Sequence, residues 1–151
     1  MAGTNAVRAK KALIAKIAAL DLGGVQAGGV QVAYSWPGSK AEREVVHGGL
    51  VTFEQEPAAF RGGARCPRDE EVTVEVHVVV KLPGGTEEDV DTRATEIGTV
   101  IEEAIASDPT LTDAADLKIA RVDGGELESG TDDDAAAGVL TYRIILRSRL
   151  N

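Results

Sequence analysis

The sequence predicts an α+β domain: an antiparallel or mixed five-stranded sheet with two helices packed on one face, in the order α-βββ-α-ββ. Three observations predict it. Two segments, near 4–20 and 86–108, repeat apolar residues at helical spacing. Five others alternate with period two, and Gly/Pro clusters separate them. The 151 residues, 43% hydrophobic and 27% charged, suit one domain (1–151) with a sizeable core. Aromatics make up only 3%, so Val, Ile, Leu and Ala must build that core.

The first helix is expected from Thr4 or Asn5, as N-cap, to Leu20. Leu13, Ile14, Ile17 and Leu20 form one stripe. Lysines interleave with the apolar residues, so no signal-peptide core forms and the segment reads as a soluble amphipathic helix. Gly23-Gly24 ends it. Val30, Val32, Tyr34 and Trp36 then alternate with polar or small residues as a first strand, closed by Pro37-Gly38-Ser39. A second strand is expected from Glu44 to Glu54, with Val51 and Phe53 on one face and Val46 and Leu50 on the other. Residues 55–69 read as a long loop rich in Gly, Pro and Arg, either a functional, partner-ordered segment or a floppy hairpin connection.

The third strand, VTVEVHVVV, presents Val72, Val74, Val76, Val78 and Val80 on one face and Thr73, Glu75, His77 and Val79 on the other. Pro83-Gly84-Gly85 stops it. Thr86 and Asp89 have capping-box spacing, and Glu87, Glu88 and Asp89 suit the positive end of a helix dipole. The second helix then buries Val90, Ala94, Ile97, Ile101, Ala104 and Ile105, and ends at Asp108-Pro109. A fourth strand runs from Leu117 to Val122, with a resumption after Gly124-Gly125. The fifth runs from Val139 to Leu150, with Leu140, Tyr142, Ile144, Leu146 and Leu150 inward and Thr141, Arg143, Ile145, Arg147 and Arg149 outward.

The net charge of −9 argues against a dedicated nucleic-acid binder, which needs a basic footprint. The signs are segregated. Residues 1–20 carry four cations and no acid, residues 86–108 carry eight acids against Arg93 alone, and the last nine residues carry Arg143, Arg147 and Arg149. Acids able to neutralise those arginines concentrate in Glu96, Glu102 and Glu103 and in 126–134. Segregated charge suits a protein interface. No apolar run is long enough to span a membrane. The single cysteine, Cys66, excludes an internal disulfide framework.

Catalytic chemistry finds little support. His47 and His77 each sit in a strand pattern, and no local signature pairs either with Cys66. Asp132-Asp133-Asp134 lacks the alternate spacing of a calcium loop and reads as a solvated hairpin tip. Gly23-Gly24…Gly28-Gly29 is followed by a strand and by no GK[ST], so it is not a phosphate cradle. No catalytic residue, cofactor or metal is expected. The candidate interface with other protein subunits comprises Arg61, Arg65 and Arg68 of the loop, Glu75 and His77 of the third strand, and Arg143, Arg147 and Arg149 of the fifth.

The lysine-bearing first helix, the three-strand unit broken by a loop, the block VTVEVHVVVKLPGGTEEDVDTRATEIGTVIEEAIASDP and the closing strand GVLTYRIILRSRL resemble the tail terminator proteins of long-tailed bacteriophages, the minor tail protein U-like group. The likeness covers nearly the whole chain but rests on no short motif. It implies a structural virion protein, not an enzyme. Such a protein assembles in the host cytoplasm as a self-associating ring, usually a hexamer. The ring caps the tail tube protein, stops tube polymerisation and offers a surface to a head-completion or neck protein at the head-tail junction. DNA passes through the lumen without specific binding, and no membrane is involved. The nearest alternative is a head-completion or neck ring protein. A small enzyme using His77 and a regulatory binding module are readings from other classes.

Overall fold

The computed structural model describes residues 3–23, 29–57, 67–111, 117–132 and 134–150. Helix α1 is Ala6–Ala18 and is followed by strand β1, Gln31–Ala33, and a short 3-10 turn, Gly38–Lys40. Strands β2, Glu44–Pro57, and β3, Arg68–Pro83, form a long hairpin. Helix α2 is Glu87–Ser107, and strands β4, Leu117–Thr131, and β5, Ala135–Leu150, close the fold. The sheet order is β1-β2-β3-β5-β4, with β1 parallel to β2 and every other pair antiparallel. The sheet is therefore mixed, and the α+β class is as the sequence predicts.

Both helices lie on one face. Val72, Val74, Val76, Val78 and Val80 are fully buried there with Leu13 and Ile17 of α1 and Ile97 and Ile101 of α2. Each side chain so buried contributes about 1.5–3 kcal/mol. α1 packs on β1, β2 and β3, while α2 crosses β3, β5 and β4. Among the described residues no helix is long and apolar enough to cross a membrane.

The N-terminus of α2 carries the expected capping box. The Asp89 amide donates to Thr86 Oγ1 at 3.2 Å, and the Thr86 amide donates to Asp89 Oδ2 at 2.9 Å. The N-terminus of α1 is different. Asn5 makes no side-chain cap bond. Its amide instead donates at 2.7 Å to Glu70 Oε1, a carboxylate that β3 buries at the positive end of the helix. Its side-chain nitrogen reaches Ser148 Oγ at 3.2 Å.

Three expectations are corrected. First, residues 55–69 are not all loop: β2 continues to Pro57 and β3 begins at Arg68, with Gln55, Glu56 and Pro57 paired to Glu70, Asp69 and Arg68. Second, β1 is limited to three residues, so Tyr34 and Trp36 lie beyond it. Third, β2 contains a bulge. Gly48 pairs with Val76 but Val51 pairs with Val74, so one extra residue shifts the side-chain phase. Val46, Val51 and Phe53 consequently share the helix side, opposite Val78, Val74 and Val72, and Leu50 is 63% exposed.

Candidate functional site

The second face of the sheet, which neither helix covers, carries most of the predicted site residues. Its arrangement follows from strand register. His47 of β2 stands opposite His77 of β3, and His77 stands opposite Thr141 of β5. The two imidazole centroids are 4.9 Å apart, tilted by 32°. Trp36 meets His47 edge-on at 5.3 Å. His77 Nδ1 lies 2.8 Å from Thr141 Oγ1, His77 Nε2 lies 3.6 Å from Glu75 Oε2, and His47 Nδ1 lies 2.9 Å from the Gly48 carbonyl. Burial, helped by His47, pushes the His77 pKa below its usual 6.5, and Glu75 opposes the shift.

The bulge residues make this row possible. A Cβ on Gly49 would overlap the His77 ring, and a Cβ on Gly48 would overlap Lys10 and the Tyr34 carbonyl on the helix side. Lys10 is thereby buried, its ammonium donating to the Gly49 carbonyl at 3.0 Å and lying 4.1 Å from the Tyr34 ring centroid.

Below the imidazoles runs a ladder of charge. Glu75 faces Arg143, Glu71 faces Arg147 and Asp69 faces Arg149. Arg147 pairs with Glu71 at 3.2 Å and Arg149 with Asp69 at 2.9 Å. Thr73 and Ile145 interrupt the ladder, and Ile145 is 6% exposed between Thr73 and Arg121 in register and between Arg143 and Arg147 along its strand. Arg147 and Arg149 thus find their acids on the adjacent strand of the same chain. Among the described residues, neither α2 nor 126–134, where the sequence concentrates its acids, is seen to supply them.

Of the predicted site residues, Glu75, His77, Arg143, Arg147 and Arg149 share this face. Arg68 does not: it pairs with Pro57 and Leu150 and donates to Gln55 Oε1 at 2.8 Å. Arg61, Arg65 and Cys66 lie outside the described residues. Asp132 Oδ1 accepts from the amides of Asp134 and Ala135 at 3.0 and 2.8 Å, which holds its pKa below the usual value and makes it a turn-forming group. Among the described residues no group of three or more His, Cys, Asp or Glu is placed to hold a metal.

Sequence reasoning missed two features. One is a fully buried carboxylate, Glu44, on the helix side of β2. Arg93 Nη2 donates to it at 3.2 Å, with a second, shorter contact from Nε, and also reaches the carbonyls of Leu22 and Gly23 at 3.1 and 2.9 Å. The only sequence signal was Arg93 standing alone among acids. The other is a groove between α2 and β4, lined by Thr95, Thr99, Glu102, Val122, Glu126 and Leu127. Tyr142 borders it, its phenol pushed up to about 12 by burial and by the neighbouring Glu102 carboxylate. The signal was Gly124-Gly125 in mid-strand, where the chain bulges between Val122 and Gly124.

No protein-family model matches this sequence, and no curated protein matches it either.

Proposed function

We propose that this chain is the tail terminator of a long-tailed bacteriophage. In this reading it is a structural, non-enzymatic subunit of a six-membered ring that caps the tail tube and joins it to the neck. The reading has two supports. Its tail-specific part rests on the resemblance in size and element order. Its assembly part rests on one observation: a five-stranded sheet with a face that neither helix covers, bearing Glu75 opposite Arg143 in register and the ion pairs Glu71–Arg147 and Asp69–Arg149. Ion pairs on an exposed sheet add little to the stability of a lone subunit. They give a surface with fixed register, which is what a partner needs to dock in one orientation.

In the assembled tail this face meets the tube, and the net charge of −9 lets DNA pass without being held. Negative-stain microscopy of the purified chain, alone and with polymerising tube protein from the same phage, tests the reading. Rings with a central opening, and tubes that stop growing with a ring at one end, are expected. A chain that remains monomeric and leaves tube growth unchanged overturns it.

A further inference from the structure

The two lateral edges of the domain are complementary to each other. At the β4 edge the groove beside α2 has an apolar floor and an acidic rim. Leu127 is 43% exposed in it, beside Val122; Glu102 stands at its margin with Thr95 and Thr99, and Glu126, in register with Thr141, lines it from the strand edge on the side of the open face. Gly125, in register with Tyr142 and with a Cβ that would overlap the Thr141 carbonyl, leaves the floor without a side chain at the bulge. The groove is therefore open by construction, and its exposed apolar residue lacks a cover among the described residues.

At the opposite edge lies α1. Its buried face is spent on the core through Ala9, Leu13 and Ile17. Its outward face presents Val7, 57% exposed, and Lys11 one turn later on the same side. Ala15 and Ala18 continue that face with small side chains that permit close approach. The helix contains no acid. An exposed apolar residue flanked by a cation is the converse of the groove, an exposed apolar residue flanked by acids. Lys10 and Lys16 are already committed within the chain, to the Gly49 carbonyl and to Asp108 at 2.7 Å, so Lys11 is the lysine of α1 turned outward.

We infer that the α2–β4 groove receives α1 of a second copy of this chain, Val7 covering Leu127 and Lys11 meeting Glu102 and Glu126. α1 packs on β1, β2 and β3, whereas β4 is the far edge of the sheet, so one chain cannot make this contact with itself. Two different patches then meet head to tail, the geometry that closes a ring. The inference rests on the ring reading and adds its lateral contact, leaving the ladder face for the tube.

The test uses the full chain in light scattering over a concentration series, with circular dichroism to confirm folding. Lys11→Glu and Glu126→Lys are each exposed changes and each is expected to raise the half-assembly concentration about tenfold, with the double variant returning to within about threefold of the parent. In a Cys66→Ser background, a mixture of Val7→Cys chains and Leu127→Cys chains is expected to form disulfide-linked mixed dimers under mild oxidation. Assembly that is indifferent to both charge changes and gives no mixed crosslink overturns this contact while the ring reading stands. A parent chain that stays monomeric at every concentration overturns this contact, and one that also leaves tube growth unchanged overturns both. Capture of the tube protein by the groove, without self-association, overturns the choice of a second copy as occupant.

Discussion

His77 is held between two strands by surroundings that act on its charge in opposite senses. Burial and the imidazole of His47, 4.9 Å away, disfavour a proton, Thr141 binds Nδ1, and only Glu75 favours charge. Its pKa in the folded chain is lowered from 6.5, so the unfolded chain binds a proton more readily. The stability that depends on neutral His77 is therefore fully present above about pH 6.5 and is lost as the pH falls through the lower folded value. Melting temperatures of the parent are expected to drop between pH 7 and pH 5, and His77→Asn is expected to flatten that slope. An equal slope in the variant would assign the acid sensitivity to other groups. The pattern of the strand placed His77 on the polar face; only register revealed that another histidine stands beside it.

Besides the Lys16–Asp108 ion pair, one guanidinium links the two helices. Arg93 of α2 holds Glu44 of β2 and the carbonyls of Leu22 and Gly23 that follow α1, so a single side chain joins three segments. Glu44 is fully buried, and removing Arg93 takes away the guanidinium set against its charge on the core side of the sheet. Arg93→Ala is expected to cost about 3–5 kcal/mol in urea unfolding, and replacing both residues with apolar ones of similar size is expected to recover most of it. A loss below about 1 kcal/mol would mean that water reaches Glu44 when the arginine is removed. The elements themselves were legible: Thr86 and Asp89 form the capping box that their spacing announces, and Ile101 is fully buried as its helical phase requires. The tie was not legible, because Glu44 and Arg93 are 49 positions apart and neither lies in a motif.

At the scale of the whole molecule the domain has three surfaces of different character: a ladder of ion pairs on the open sheet face, an acid-rimmed groove at one edge and a basic helix at the other. The proposals assign the first to the tube and the other two to neighbouring subunits. Arg147→Glu separates these roles. The residue is 62% exposed and paired only at the surface with Glu71, so reversal is expected to lower stability by at most about 1 kcal/mol. Rings are expected to form at the same concentration as those of the parent, while their capping of tube protein weakens. Loss of rings would move the ladder face into the lateral contact. An unfolded chain would show that the ladder holds the sheet together.

The sequence by itself determined the element order, the single mixed or antiparallel sheet, the capping box and the inward valines of β3, because period and capping act between residues a few positions apart. Tertiary structure alone decided the rest. The extra residue between Gly48 and Val51 put Val51 and Phe53 on the helix side with Val46, and a phase change of this kind leaves no trace in a two-residue period until the partner strand is known. Pairing in register, not proximity in sequence, joined Arg147 to Glu71 and His47 to His77. Neighbours across a ladder are set by where two distant strands align, and that alignment is a property of the folded sheet.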